Sequence, residues 1–557
     1  MKKLLKSKLF KSRVFKPAAA CVCAAVVICL VYFVLRYFSA PAVDYYIKND
    51  AAGSVRISVT VSRLPFAPFA GRGAAEFFLC AYQMTGVSCV DENGTRVDYT
   101  ARDGRLAIDM GNRRAVNFSY GVSCPPAASV TAFSGEEALI VPADGARRLE
   151  FRGDSYDGAS AVFPYARLDN PSWLDLYGLN KSCFCFGNFR RYSPGGGVSL
   201  FVEQSADKSE DQDIAGAVRA VDLYYQGVFG KSGAYSLIIT GRDKGGADNA
   251  IVGGRSIMLP FDIGSAEDCK ALCHSLFYPY FDTSVSGQSY RFPPNLWLNR
   301  GLATYYGVLA LDALPRNMRD SLSLNSADGF NELYVRYLYF QIKEPFTYNA
   351  TPGDESAAGR AAGEFYYYTK APLVVADIEN RTGGKNALLK NMIGNAGDGY
   401  TVSKLMGDTL GASASDILDC LNGKKLVPAP IPPPANDPVR VMRAISDYEL
   451  TLASWQRVSS PDYPVETLYP LDPIKVLDTT NSLGVTFGDG ATESAVRDYS
   501  MTLYVLLRQY ALRAYVCNLS MDDPTLRFDL AQSGNVQNWE RYIQDNGLEV
   551  FDDAGGR

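Results

Sequence analysis

The only histidine of the chain, His274, lies in the stretch CHSLFYPYFD and is the first residue whose type suggests chemistry. An imidazole can bind zinc or transfer a proton near neutral pH. Tyr278 follows four positions later, so the two side chains share one face if the segment is helical. A second stretch, LWLNRGLATYYG, begins twenty-two positions after the histidine and contains Arg300.

Helix boundary patterns place these residues on consecutive predicted helices. Ser265 followed by Asp268 is typical of a capping box and predicts that a helix begins there and runs through AEDCKALCHSLFY. We expect Pro279 to end this helix. A second helix is predicted from about Leu296, and a third, GEFYYYTKAPLVVADIENRTGG, from about Gly363.

The region 44–205 has the pattern of β-strands. Apolar residues alternate in SVRISVTV, which is typical of a strand with one buried face, and they are Val55, Ile57, Val59 and Val61. Asn93-Gly94 and Asp103-Gly104 lie between alternating runs, the arrangement that most strongly indicates hairpins. This region is therefore predicted to form an antiparallel β-sandwich domain.

Three further regions follow the predicted sandwich. Helical periodicity dominates 206–427. Residues 428–438, PAPIPPPANDP, contain six prolines in eleven positions and are predicted to be an extended linker, because proline ends helices and lacks the N–H that a strand ladder uses. The region 439–557 is predicted to be mainly helical. The predicted fold class is therefore α+β, with separate strand-rich and helical regions.

The N-terminus has the composition of a membrane anchor. Residues 1–16 carry seven Lys and Arg and no acidic residue, and 17–38 form an apolar run long enough to span a bilayer. The flanking positive charge predicts a cytoplasmic N-terminal tail, a single transmembrane helix and an extracytoplasmic remainder. The alternative is a cleaved signal peptide, since Ala40-Pro41-Ala42 resembles a cleavage site. The apolar run is longer than a signal peptide usually has, which favours a retained anchor.

The net charge argues against nucleic-acid binding, and the cysteine spacing argues against a finger-type structural zinc site. After residue 16 the chain has 48 Lys and Arg against 60 Asp and Glu, a net charge of −12. No nucleic-acid partner is expected, because such proteins present a basic face. The nine cysteines beyond the apolar run show no paired CxxC spacing, which argues against a finger-type structural zinc site.

In motif and order the predicted helices resemble the gluzincin zinc aminopeptidases, the group that contains the membrane alanyl and glycyl aminopeptidases. That family has H-E-x-x-H on one helix, with the Glu as general base, and a third ligand, Glu, in W-L-N-E-G-x-A on the next. HSLFY matches only at His274, because Ser275 stands at the base position and Tyr278 at the second ligand position. WLNRGLA matches except that Arg300 replaces the third ligand and Leu302 fills the variable position.

Two other stretches resemble the same family. YTKA at 368–371 is similar to Y-x-K-G, whose tyrosine stabilises the transition-state oxyanion, and Tyr368 stands at that position. GGRS at 253–256 is similar to G-G-M-E, which lines the substrate cleft. This places Gly253 and Gly254 at the cleft edge and Ser256 where the family's Glu holds the substrate's amino terminus. The resemblance implies a thermolysin-like, mainly helical peptidase domain over 206–427.

The substitutions predict that the zinc chemistry is lost. At about 4 Å and an effective dielectric constant near 20, a guanidinium and a divalent ion repel by about 8 kcal/mol. Zinc binding at a complete structural site contributes about 10–16 kcal/mol, so the loss of two ligands together with this repulsion leaves no stable site. Ser275 cannot act as a carboxylate base. We expect no metal at His274, Tyr278 and Arg300 and no other cofactor. His274, Ser275 and Tyr368 would then be vestigial.

Each of these residues also has a structural interpretation. His274 could be a satisfied core histidine, and Tyr278 could serve packing alone. Arg300 could pair with an internal carboxylate such as Glu364 or Asp282, which would close the site.

Two other kinds of site are disfavoured. A soft-metal site would combine Cys269 and Cys273 with His274, but the last two are adjacent and face different sides of a helix. A Ser-His-Asp triad would have to use the same histidine, and no G-x-S-x-G motif accompanies it.

Three classes of function remain. The first is a membrane-anchored, peptidase-like protein without activity that binds a peptide or envelope protein. Its ligand would contact Arg300 and Tyr368 and pair with a strand edge at Gly253 and Gly254. The second is an active metallopeptidase or other hydrolase with a rebuilt site. The third is a structural scaffold of an envelope complex. Ser275 and Arg300 argue against the second class.

Overall fold

The computed structural model describes much of the chain between residues 40 and 431. The described residues are 40–63, 74–124, 130–204, 208–241, 250–343, 363–384, 386–395, 401–423 and 425–431. The predicted segments 1–16, 17–38 and 439–557 lie outside them, as do residues 432–438 of the predicted linker. In the part that is described, no helix combines the length and apolarity that a membrane crossing requires. The chain divides into two compact units, Met1–Thr283 and Ser284–Arg557.

The first unit contains all the described strands. They are β1 (Ala42–Ala51), β2 (Ser54–Ser62), β3 (Ala74–Phe78), β4 (Thr85–Asp91), β5 (Tyr99–Arg102), β6 (Arg105–Asp109), β7 (Ala115–Ser123), β8 (Thr131–Ser134), β9 (Val141–Pro142), β10 (Arg148–Ser155), β11 (Ser160–Val162), β12 (Arg167–Asp169), β13 (Cys183–Gly187), β14 (Phe189–Gly195), β15 (Val198–Glu203), β16 (Ser236–Thr240) and β17 (Ser256–Pro260). Its α-helices are α1 (Gly135–Ala138), α2 (Trp173–Lys181), α3 (Asp211–Phe229), α4 (Ala266–Ser275) and α5 (Phe277–Ser284), the last of which ends at the unit boundary.

Two sheets of this unit enclose one apolar core. A six-stranded sheet has the order β12-β10-β1-β2-β7-β4, and a four-stranded sheet has the order β5-β6-β3-β9. The predicted alternation in β2 is confirmed, because its four apolar residues are buried among side chains of both sheets. The hairpin predicted at Asp103-Gly104 is also confirmed. It joins β5 to β6, and both turn residues have positive φ, as this turn type requires.

The pairing of β1 with β10 corrects the prediction of a purely antiparallel sandwich. These two strands are parallel, with Ala42 opposite Arg148, whereas the other pairs of the six-stranded sheet are antiparallel. The sheet is therefore mixed. Because the two strands are far apart along the chain, no turn between them fixes their direction, and the local pattern shows only which side chains are buried.

A second four-stranded sheet extends past residue 205, where the sequence suggests a domain boundary. Its order is β14-β15-β16-β17, and the pairs β15-β16 and β16-β17 are parallel. Strand β15 precedes position 205/206 in the sequence and β16 follows it, and these two strands are hydrogen-bonded neighbours in one sheet. A three-stranded sheet, β11-β13-β8, completes the described strands of the unit.

A buried carboxylate connects α3 to α5. Asp222 accepts hydrogen bonds from the hydroxyl groups of Tyr235 (3.0 Å) and Tyr280 (2.6 Å) and from the side-chain amide of Gln226 (2.7 Å). Burial raises the pKa of both tyrosines, so they stay protonated and act as donors. These neutral donors satisfy the carboxylate and help to fix the position of α5.

The helix that carries His274 ends earlier than predicted. α4 stops at Ser275 and α5 begins at Phe277, so Pro279 lies in the first turn of α5. The expectation that Pro279 ends the helix is therefore wrong. A proline is tolerated in a first helical turn because the N–H groups there have no acceptor within the helix.

The second unit is helical in the part that is described. Its helices are α6 (Leu296–Ala310), α7 (Arg316–Leu322), α8 (Ser326–Lys343), α9 (Ala371–Arg381), α10 (Ala387–Gly394), α11 (Val402–Leu410) and α12 (Ala414–Leu421). The predicted start of α6 is confirmed. Residues 363–365 are helical, and the chain passes from them through a π-helical turn, Tyr366–Lys370, into α9.

Candidate functional site

His274 and Tyr278 are in contact, as their spacing predicts. The Tyr278 hydroxyl oxygen lies 3.4 Å from Nε2 of His274, and the two ring centres are 5.5 Å apart in an edge-to-face arrangement. The contact persists although the helix is interrupted at Leu276. Tyr278 is buried and His274 is half-buried. The histidine thus has a phenol as its neighbour at the position where the resembled family has a second imidazole.

The other groups near this histidine are poorly suited to bind a metal or act as a base. Ser275 is buried. Burial raises the pKa of Cys269 to about 11 and that of Cys273 further, so both remain thiols, whereas the thiolate is the form that binds metals. Over the described ranges, no group of three or more His, Cys, Asp or Glu side chains is placed so that it could hold a metal ion.

Gly253 and Gly254 form a buried turn before β17. Gly254 has a φ of 59°, and its N–H donates a hydrogen bond to Asp282 at 3.0 Å. A Cβ added at Gly254 would lie 2.1 Å from Oγ of Ser182 and 2.2 Å from the carbonyl oxygen of Gly178. Ser182 in turn accepts a hydrogen bond from the N–H of the residue after Gly254. The two glycines are thus explained by the close approach of α2 and by a left-handed backbone.

The outer edge of β17 is partly occupied by the chain itself. Met258 exchanges two backbone hydrogen bonds of 2.9 Å with Ile251, on the side of the strand that faces away from β16. Pro260, two residues further along the same edge, has no N–H to offer. The strand edge expected at Gly253 and Gly254 is therefore a turn, and main-chain pairing of a ligand at these two glycines is not supported.

In the second unit, Arg300 and Tyr368 are neighbours. The guanidinium carbon of Arg300 lies 5.9 Å from the centre of the Tyr368 ring, within the range of a cation–π contact. Arg300 is half-buried on α6, and 37% of Tyr368 is exposed. Burial raises the pKa of the adjacent Tyr367, and the positive charge of Arg300 opposes that rise. The structure therefore brings together two of the four residues for which the sequence predicts ligand binding.

The π-helical turn that carries Tyr368 was not predicted from the sequence. In this turn the N–H of Ala371 bonds to the carbonyl of Tyr366, five residues earlier. Lys370, the last residue of this turn, is completely buried, and its Nζ donates a hydrogen bond to the carbonyl of Leu421. Nothing in the local pattern YYYTKA distinguishes a π-helical turn from an ordinary α-helical one, since both are compatible with the same residues.

The chain shows little sequence similarity to known proteins. No protein-family model matches it, and no curated protein does. Similar solved structures include an aminopeptidase N family protein of Idiomarina loihiensis, with 13% identity, a TM-score of 0.48, and coverage of 68% of this chain and 75% of that one.

Two other similar structures come from different organisms. One is an M1 zinc metallopeptidase of Deinococcus radiodurans, with 14% identity, a TM-score of 0.44, and coverage of 71% of this chain and 96% of that one. The other is the leukotriene A4 hydrolase of Saccharomyces cerevisiae, with 10% identity, a TM-score of 0.46, and coverage of 92% of this chain and 95% of that one.

Proposed function

We propose that this chain is a peptidase-like protein that does not hydrolyse peptides and that binds an anionic group of a peptide or protein. The observation that carries the proposal is the position of Arg300, whose guanidinium lies against the ring of Tyr368. By its motif, Arg300 stands where the resembled family has a metal ligand. A fixed positive charge at that position opposes a divalent cation and favours an anion.

The residues around His274 support the absence of hydrolysis. A tyrosine hydroxyl lies at 3.4 Å from the imidazole, and the adjacent Ser275 has no carboxylate with which to activate water. An imidazole beside a phenol lacks the second strong ligand that zinc requires. The stretch HSLFY resembles the zinc-binding motif of the family, but it lacks the second zinc ligand and the general base of that motif.

The geometry of the second unit is compatible with recognition of a carboxylate. A guanidinium presents five N–H donors in a planar fork, which matches the two oxygens of a carboxylate. The Tyr368 hydroxyl offers a further donor on a ring that is more than one-third exposed. A free carboxylate, such as the C-terminus or an acidic side chain of a peptide, is therefore the ligand group that we propose.

The proposal places this binding outside the cytoplasm. Residues 17–38 have the composition of a single transmembrane anchor, and the acidic remainder has no basic face for nucleic acid. The proposed ligand is accordingly a peptide or an envelope protein near the membrane surface.

Arg300→Ala tests the proposal. The probes are acetylated peptides with a free C-terminal carboxylate and the same peptides with an amidated C-terminus. We expect the chain to bind the free acids in preference, and the variant to lose about tenfold or more in affinity, since one hydrogen bond to a charged group contributes about 1.5–3 kcal/mol. The melting temperature should remain close to that of the wild-type chain.

Arg316→Ala is the matched control, because Arg316 lies on α7 and its side chain is 86% exposed. It should leave both affinity and stability unchanged. A large loss of stability in Arg300→Ala without any change in peptide affinity would show that Arg300 serves an internal ion pair, and would overturn the proposed binding role. Equal affinity for free and amidated peptides would also overturn it.

A further inference from the structure

Lys370 lies two residues after Tyr368 and is completely buried. Its Nζ donates a hydrogen bond of 2.9 Å to the backbone carbonyl of Leu421 and lies 5.6 Å from the ring centre of Tyr366. A buried ammonium requires such acceptors, because burying a charge without hydrogen-bonded partners is costly. This one side chain therefore connects the π-helical turn to the end of α12.

The acceptor for this ammonium is well fixed. Leu421 is the last residue of α12, where carbonyl groups lack donors within the helix and the helix dipole is negative. α12 is in turn joined to α9, because Arg381 donates to one carboxylate oxygen of Asp416 while Lys425 donates to the other. The anchor point of the ammonium is thus held beside the helix that follows the π-helical turn.

The π-helical turn gives Tyr368 and Lys370 different environments. Its bond from the N–H of Ala371 to the carbonyl of Tyr366 encloses one residue more than an α-helical bond does. Isolated π turns are rare within α-helices and are frequent at functional sites. Within this turn the lysine faces the interior, whereas the Tyr368 ring is 37% exposed and lies against Arg300.

A close contact between α6 and α9 fixes the position of the backbone that carries Arg300. A Cβ added at Gly301 on α6 would lie 2.9 Å from the Cβ and 3.0 Å from the carbonyl carbon of Ala371 on α9. Arg300 directly precedes Gly301, and Lys370 directly precedes Ala371. With the two helices held at this point, the distance from the guanidinium to the Tyr368 ring depends directly on the conformation of the π-helical turn.

We infer that Lys370 is the positioning residue of the Arg300–Tyr368 pair, since its buried ammonium, bonded to the carbonyl of Leu421, holds the turn that presents Tyr368 to Arg300. The inference rests on the proposed function in taking this pair as the ligand-binding group. The geometry that it concerns can be measured without any ligand, so the two can fail independently.

The test uses the full chain with 3-fluorotyrosine at position 368, read by fluorine NMR. Arg300→Ala supplies the reference shift of a ring without its guanidinium. Lys370→Met removes the ammonium at similar side-chain length, and we expect it to move the resonance most of the way to this reference. Lys404→Met is the control, because Lys404 is exposed and lies on α11, outside the contacts argued to hold the anchor point. It should leave the resonance in place.

A folded Lys370→Met protein with an unchanged fluorine resonance would contradict the inference, whatever its stability. If that variant does not fold, Lys370→Gln keeps a donor for the carbonyl of Leu421 without the charge. A partial shift in Lys370→Gln would support the inference, and an unchanged resonance would contradict it. Failure of the wild-type chain to bind carboxylate peptides would overturn the proposed function and leave the fluorine result standing.

Discussion

Tyr278→His and Arg300→Glu together are expected to give the purified chain one tightly bound zinc ion per molecule. The first change places a second imidazole beside His274, whose Nε2 is already 3.4 Å from the hydroxyl that would be replaced. The second change supplies a carboxylate at the position where, by its motif, the resembled family has its third zinc ligand. Zinc binding at a complete site contributes about 10–16 kcal/mol, so the change in metal content should be all or none.

The measurement is the zinc content of the dialysed double variant, with folding checked by circular dichroism. The matched control combines Tyr278→His with Arg316→Glu, which has the same net charge but retains Arg300. This control should remain free of stoichiometric zinc. A folded double variant that also stays free of zinc would show that the likeness to the zinc aminopeptidases does not extend to the arrangement of the ligand positions.

Gly254→Ala is expected to destabilise the chain by about 4 kcal/mol. A left-handed backbone costs an L-residue about 1–2 kcal/mol, and forcing a methyl group into a filled space adds about 1–3 kcal/mol. At this position the added Cβ would lie 2.2 Å from a backbone carbonyl oxygen of α2, which cannot rotate away as a side chain could. The substitution should also weaken the hydrogen bond from Gly254 to Asp282.

Gly230→Ala separates the cost of the left-handed backbone from the cost of steric overlap. Gly230 ends α3 with a φ of 68°, and a Cβ there would meet no atom within 4 Å. It should therefore show only the backbone cost, about 1 kcal/mol. The measurement is the free energy of unfolding in denaturant for both variants. Equal losses would contradict the close approach of the turn to α2 and would reopen the glycine edge to a ligand.

The alternation of apolar residues was enough to predict which face of β2 is buried. A period of two places alternate residues on the same face of a strand, and the face with the apolar residues Val55 and Ile57 is the one that lies in the core. The same pattern could not reveal that β1 pairs in parallel with β10, since the partner is set by packing far along the chain. Local patterns thus predict elements better than their partners.

Helix boundaries were predictable where a cap defines them. Ser265 accepts a hydrogen bond from the N–H of Asp268, as the capping pattern implies, and α4 begins at the next residue after Ser265. Pro279 was misjudged because a proline fits the first turn of a new helix as well as the end of an old one. The break at Leu276 has no clear mark in the sequence.

The candidate site could be predicted as a set of residue types but not as a geometry. The spacing of His274 and Tyr278 predicts their contact, because four positions bring side chains to one helix face. The contact of Arg300 with Tyr368 could be predicted only through the family resemblance. The buried anchor at Lys370 could not be predicted, since it depends on a carbonyl group fifty-one positions later in the chain.

The metal content and aminopeptidase activity of the purified wild-type chain decide whether it is a zinc peptidase. We propose that a chain with Ser275, Tyr278 and Arg300 at the base and ligand positions is not one. We predict no stoichiometric zinc after purification in zinc-containing buffer, and no hydrolysis of aminoacyl or peptide substrates above a buffer control. One zinc ion per chain, with hydrolysis that is lost in His274→Ala, would contradict the claim.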